Sequence, residues 1–386
     1  MNAIGSPLRR HWSLEPAVSF LNHGSFGACP IAVLDTQARL RARIEAEPAR
    51  FMMRELEPLL HEALAALGAF VGAAPENLAF VGNATTGVNA VLRSLVFAPG
   101  DEILTTDHVY NACGNALDWV ARRAGARVVV ARIPFPIADA AQVVDAILRA
   151  AGPRVRLALL DHITSATGLV WPIAQLVRAL AARGIDTLVD GAHAPGMVPL
   201  SLDALGAAYY VGDCHKWLCT PKGVGFLHVR GGRQDGLMPT TISHGANSKR
   251  KDQSRFRLLF DWTGTPDPSA ALSVPAALAF LPSLVREGWP GVMATNHALA
   301  LCARDTLCET LGLDPPAPDE MLGSMATVVL PQVRAAATES LIDPLQEALW
   351  QEERIEVPVF IWGDPPVRIL RVSAQLYNAP EEFGRL

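Results

Sequence analysis

Formal charge is scarce in this chain. Asp, Glu, Lys and Arg make up 18% of its 386 residues, against roughly 25% in ordinary soluble domains. Hydrophobic residues reach 50%, and exchanging the 4 Tyr for the 30 Gly gives a standard apolar count of about 57%, above the usual 45–50%. That balance excludes intrinsic disorder, which needs low hydrophobicity and high charge. Basic clusters are equally thin. The longest is Lys249-Arg250-Lys251 and the net charge is −5, so nucleic acid is not an expected partner. A clean membrane span is missing as well. The longest stretch without formal charge, Pro268–Val285, has 18 residues and only just reaches spanning length. Pro268, Pro275 and Pro282 interrupt it, so it reads as a buried or interface helix. The N-terminus, MNAIGSPLRRHWSLEP, lacks the apolar core of a secretory signal. The six cysteines show no repeated short pairing and read as reduced thiols, which points to the cytoplasm.

What is present is alternation. Short β-rich runs recur at Leu78–Val81, Glu102–Thr105, Ala126–Val130, Leu157–Asp161, Thr187–Asp190, Ala208–Gly212 and Gly225–Val229. Helix-like segments lie between them, among them Thr86–Leu95, Ala112–Ala124, Ala138–Ala151 and Ile173–Arg183. Strand–helix alternation at this spacing means βαβ crossovers and a mostly parallel sheet. The strands are apolar on both faces, as a sheet covered by helices on both sides requires. Two further helices are expected at Ile31–Glu47 and Glu55–Val71. After long polar loops over 231–268, helical runs (Ala271–Leu284, Asn296–Leu311) lead into short strands (Ala326–Leu330, Val357–Ile361, Arg368–Val372), which reads as a smaller α+β domain. The expected fold class is therefore α/β, with a seven-stranded sheet and a second, smaller domain.

In open α/β sheets, ligands sit at the carboxyl ends of the strands. After the first run comes Gly82-Asn83-Ala84-Thr85-Thr86, opening a helix. Small residues and hydroxyls there suit an anion, or an ordinary N-cap on Asn83 or Thr85. After Thr187–Val189 comes Asp190-Gly191-Ala192-His193. A carboxylate closing a buried strand needs a cation, such as a protonated cofactor ring nitrogen, or else serves as a cap or salt bridge. After Ala208–Gly212 comes Asp213-Cys214-His215-Lys216-Trp217. A lysine held between apolar neighbours loses its proton more readily and can form a Schiff base; a surface lysine is the plain alternative. His215 suits a phosphate or a core hydrogen bond. Cys214, His215 and Cys219 lack the fourth ligand and the spacing of a zinc site, so no metal is expected. Neither a Walker loop nor a Gly-x-Gly-x-x-Gly turn follows a strand.

These blocks, with LNHGSFGACP (21–30), VGNATTGVNAVLRSL (81–95), LDHITSATGLVWPI (160–173), LVDGAHAPG (188–196), GDCHKWLCTPKGVGFLHV (212–229), WTGTPDPSAAL (262–272) and RVSAQLYNAPEEF (371–383), make the chain resemble class V aminotransferases, which are fold type I pyridoxal-phosphate enzymes. The resemblance runs nearly end to end and is nearest to the isopenicillin N epimerase-like branch. It implies pyridoxal 5'-phosphate as cofactor and three parts: an N-terminal segment (1–30) along the site, a large domain (31–268) and a small one (269–386). It implies Lys216 as the Schiff-base and proton-shuttling residue and Asp190 as partner of the pyridine N–H. His108 is implied as the ring-stacking residue, with Tyr110 as the alternative. His193 and Ser165 would contact the ring hydroxyl, and Asn83, Ala84, Thr85 and His215 the phosphate. Thr265 would reach the phosphate from a second copy in a homodimer. Arg371 would grip the substrate carboxylate, a bidentate task that suits guanidinium, and Asn22, His23 and Gly24 would line the substrate mouth.

Two departures stand out. Asp213 replaces a neutral side chain of the family, and a carboxylate beside a phosphate repels it; the side chain is expected to turn away or to bond a backbone N–H. The sequence also stops at Gly384-Arg385-Leu386, where the family continues through a further helix. The resemblance implies chemistry at Cα of an amino acid or of the amino-acid end of a small peptide, with epimerisation first, C–S lysis or transamination as alternatives, and a cofactor-binding protein without turnover as a remote one. Persulfide-forming desulfuration is disfavoured, because no cysteine follows Cys308.

Overall fold

A computed structural model describes residues 4–331 and 342–386. Seven strands form the central sheet: β1 (Leu78–Val81), β2 (Glu102–Thr106), β3 (Arg127–Ala131), β4 (Val155–Asp161), β5 (Asp186–Asp190), β6 (Tyr209–Asp213) and β7 (Gly225–Val229). Their order is β1-β7-β6-β5-β4-β2-β3. Only β7 runs against its neighbours, pairing antiparallel with both β1 and β6. The expected bounds hold to within about two residues, because continuous apolar runs flanked by helix signals leave little freedom of placement.

Helices α1 (Ile31–Ala46), α2 (Leu56–Val71), α3 (Ala84–Ser94), α4 (Asn111–Ala124), α5 (Ala140–Ala150) and α6 (Ile173–Ala181) surround the sheet. Two apolar clusters lie on its two faces. One joins Leu104, Ala158, Leu160, Val189 and Tyr210 to α2, α5 and α6. The other joins Ile103, Leu157, Leu159, Leu188 and Val211 to α3 and α4. Alternate residues of each strand serve alternate clusters, which is where much of the apolar surplus goes.

The uncharged 268–285 stretch is not one helix. It breaks into turns at Ser269–Leu272, a helix α7 (Val274–Phe280) and a 3-10 turn Leu281–Leu284, with Pro275 and Pro282 each at a first-turn position. Proline is tolerated there because it lacks only a donor the helix start does not use. The segment packs on α1 and α2, then bends by 70° into α8 (Gly288–Leu311). No single helix among the described residues is long and apolar enough to cross a membrane. Beyond α8, strands β8 (Met325–Val329), β9 (Val359–Trp362) and β10 (Val367–Ser373) form an antiparallel sheet ordered β9-β10-β8, and α9 (Pro344–Glu353) precedes β9. The N-terminal segment joins this part: Ser19–Phe20 pairs in parallel with Ile355–Glu356.

Candidate active site

Three aspartates end three adjacent parallel strands: Asp161 on β4, Asp190 on β5 and Asp213 on β6. Side chains two residues apart, or in register on parallel neighbours, share a face. Asp161 is in register with Asp190, and Asp190 with Val211, two residues before Asp213. All three carboxyls therefore reach one cavity of about 240 Å³. Lys216, His193, His215, Asn83, Ala84, Thr85, Ser165 and Tyr110 also line it, as do Ser25 and Phe26.

At the start of α3, Asn83 accepts hydrogen bonds from the Thr86 N–H at 2.8 Å and the Thr86 hydroxyl at 3.0 Å. The Ala84 N–H donates to Asp213 Oδ1 at 2.8 Å. Asp213 thus bonds a backbone N–H, as expected of it, but it does not leave the cavity: its Oδ2 lies 3.3 Å from Lys216 Nζ. The Thr85 hydroxyl makes no hydrogen bond to the described residues and stands open to an anion at the helix start.

Asp190 accepts from the Ala192 N–H at 3.0 Å and from the Cys113 thiol at 3.1 Å. Burial nevertheless pushes its carboxyl above the ordinary range. A cation at the ring-facing side would reverse that, which is the environment a pyridinium partner needs. His193 Nε2 lies 3.3 Å from Lys216 Nζ, and the Trp217 indole N–H donates to His193 Nδ1 at 3.4 Å. Since an indole only donates, the neutral imidazole carries its proton on Nε2, which can donate to Nζ only when the lysine amine is neutral. Burial, then the charges of Lys216 and Arg371, hold His193 well below the usual histidine range.

Arg371 is fully buried, and no carboxylate pairs with it among the described residues. It donates to the Ser165 carbonyl, to Ser25 Oγ at 3.0 Å and, at 3.5 Å, to Asn22 Oδ1. Its Nε has no hydrogen-bond partner among the described residues, and burial pushes its pKa down to about 10.

Three placements, those of His108, His23 and Gly24, differ from expectation. His108 does not line the cavity. Its ring nitrogens are taken by Thr167 Oγ1 at 2.9 Å and the Ile133 carbonyl at 3.1 Å, and Trp362 packs edge-on against it. Tyr110, 45% exposed, reaches the cavity in its place. His23 also lies behind the site rather than at its mouth. Its Nε2 donates to the Lys216 carbonyl at 3.0 Å and its Nδ1 accepts from the Tyr377 hydroxyl at 2.8 Å. Gly24 is buried where a Cβ would stand 2.8 Å from both Met325 Sδ and Ser373 Oγ, so it admits the close approach of the N-terminal segment to Arg371. Ser25 and Phe26, not His23 and Gly24, face the cavity. Thr265 is exposed and outside this cavity. Asp161 was not singled out from sequence, although LALLD ends its strand as TLVD ends the next.

The chain matches the family model described as aminotransferase class-V over residues 30–386. It is 39% identical to isopenicillin N epimerase of Amycolatopsis lactamdurans, covering 98% of this chain and 96% of that protein. It is 31% identical to a probable chloroplastic L-cysteine desulfhydrase of Arabidopsis thaliana, covering 96% and 82%. Among solved structures, a C-DES variant with glycine covalently linked to its pyridoxal-phosphate cofactor superposes with a TM-score of 0.78 at 22% identity, over 98% of this chain and 97% of that one. With a cavity that gathers a lysine, a strand-end aspartate and a helix start, and with a match of this extent, the chain belongs to the class V aminotransferase family of pyridoxal-phosphate-dependent enzymes.

Proposed function

We propose that this enzyme epimerises Cα of an amino acid, or of the amino-acid end of a small peptide. The observation that carries the substrate class is Arg371: a buried guanidinium bonded to Ser25 and Ser165, which line the cavity, has no carboxylate partner among the described residues and suits one from the ligand. The identity to an epimerase, 39% against 31% to a desulfhydrase, supports the reaction. None of the six cysteines lines the cavity, which bears against persulfide-forming desulfuration but does not separate epimerisation from C–S lysis.

The residues present fit pyridoxal phosphate. Lys216 offers the amine, Asp190 the buried carboxylate for the ring nitrogen, and the α3 start with Thr85, Ala84, Asn83 and His215 the phosphate end. His193 and Ser165 lie within the same cavity for the ring hydroxyl. When bound, the cofactor supplies an electron sink that makes the Cα proton acidic. Lys216 takes that proton on its own side of the substrate. His193, with its Nε2–H directed at Nζ, orients the amine. Arg371 holds the carboxylate so that Cα stays within reach of Lys216. For inversion a second group must return the proton from the other side, and the Tyr110 hydroxyl, on a residue that lines the cavity, is the group assigned to it.

Lys216→Ala should abolish the yellow absorbance of the loaded protein. Wild type should exchange the Cα proton of its substrate in deuterated water without releasing pyruvate, ammonia or a keto acid. Tyr110→Phe keeps an aromatic ring but loses the hydroxyl, so it should still bind cofactor while losing inversion. Pyruvate and ammonia release by wild type would instead establish the C–S lyase reading.

A further inference from the structure

Asp161 has no role in the reading above, yet it is buried, lines the same cavity and keeps one carboxyl oxygen, Oδ2, without a hydrogen-bond partner among the described residues. It is in register with Asp190 on the adjacent parallel strand. Neighbouring strands lie about 4.8 Å apart, so two carboxyls on one face at adjoining strand ends repel strongly if both ionise. Such pairs keep one proton between them. The donors decide which member keeps it. Asp190 receives the Ala192 N–H and the Cys113 thiol, both of which favour its anion. Asp161 receives its own backbone amide and that of Tyr110, but its Oδ2 has no hydrogen-bond partner among the described residues.

We propose that Asp161 is a positioning residue that stays a neutral carboxylic acid, so that the Asp161–Asp190 pair carries one negative charge, localised on Asp190 where it faces the ring nitrogen of the bound cofactor. The inference rests on the assignment of Asp190 given above. The other charged groups facing the pair are Lys216, which favours ionisation, and Asp213, which opposes it. Burial acts in the same sense as the geometry, holding the Asp161 carboxyl well above the carboxylate range. A neutral Asp161 also explains why a third carboxyl can sit beside Asp190 and Asp213 with only one lysine among them.

The test uses the full chain with aspartate labelled by carbon-13. At neutral pH, infrared difference spectra of wild type against Asp161→Asn should show the carbonyl band of a protonated aspartic acid in wild type and its loss in the variant. The label excludes Glu382, which is buried, and the variant excludes Asp261, which is half-buried; both carboxyls are raised by their surroundings. Absence of any protonated-aspartate band in wild type overturns the proposal without reliance on a variant. Persistence of the full band in Asp161→Asn also overturns it. In cofactor titrations Asp161→Asn, which mimics a neutral acid, should stay within about threefold of wild type, while Asp190→Asn should weaken binding by about tenfold or more. Equal weakening by both variants would make Asp161 a charged partner and end the inference. Normal binding by Asp190→Asn together with the infrared loss in Asp161→Asn would refute the Asp190 assignment and leave the protonated Asp161 standing.

Discussion

Arg371 concentrates a conflict between stability and function in a single side chain. Burial pushes its pKa down to about 10, so the folded state holds the proton less firmly than the unfolded chain does. Between that value and the ordinary arginine range the unfolded chain binds more protons, and stability rises with pH; below it, the buried cation is a standing cost. Arg371→Met should therefore raise the melting temperature while weakening binding of a simple aliphatic carboxylate by about 2–5 kcal/mol. In wild type the same carboxylate affinity should fall as pH rises through about 10, measured by competition against cofactor-dependent absorbance. Asp213 poses the opposite problem. It takes the Ala84 N–H and lies beside Lys216, both groups a phosphate-bearing aldehyde would use. Asp213→Asn removes a negative charge from the proposed phosphate end. It should tighten cofactor binding by about tenfold, roughly 1.4 kcal/mol, in an absorbance titration of cofactor-free protein; weaker binding would show that the carboxylate is needed to hold the α3 start.

At the scale of elements, the site depends on how the N-terminal turn docks on the lysine loop. Gly27 has φ +68, and a Cβ there would come 2.1 Å from the His215 carbonyl oxygen. Lys222 Nζ donates to the Gly27 carbonyl at 2.9 Å, and His23 reaches the carbonyl of Lys216 itself. Burial holds His23 down to about 3, so this clamp stays neutral at working pH. Gly27→Ala should cost about 1–3 kcal/mol of stability and also weaken cofactor binding, because the collision falls on the residue next to Lys216. Loss of stability with unchanged affinity would uncouple the turn from the loop. The central sheet was legible in sequence because its strands are apolar on both faces and end in chemistry-bearing residues. Lys216, Asp190, His193 and the α3 start were legible for the same reason. His108 and Tyr110 were not separable. They lie in a turn between β2 and α4, where no period says which side chain faces inward. His23 was misplaced because its motif marks proximity to the site, while its orientation is set by Tyr377, some 350 residues away. Asp161 is hard to single out in the sequence because it closes an otherwise apolar strand, LALLD.

At the scale of the whole molecule, the two covered sheet faces absorb most of the apolar excess but not all of it. Val96 is 96% exposed and Met53 79% exposed. A second cavity of about 300 Å³, lined by Leu56, Phe80, Val81, Phe260 and Trp262, opens beside Gly82 and Thr86 at the start of α3. Apolar surface of this kind suits a second copy of the chain, and the exposed position of Thr265 outside its own cavity suits a residue that acts in a neighbour's. Both points would fit a homodimer with shared sites, which complementation tests. Lys216→Ala disables the lysine of its own site but still offers a normal Thr265. Thr265→Glu keeps the lysine but presents a negative charge to the phosphate, and its exposed position spares the fold. Each variant alone should bind cofactor poorly. In a co-refolded equal mixture, random pairing makes half the dimers hybrids with one intact site each, so about a quarter of all sites should recover. A mixture no better than the average of the two variants would mean that Thr265 serves its own chain or no site at all, even if sedimentation showed a dimer.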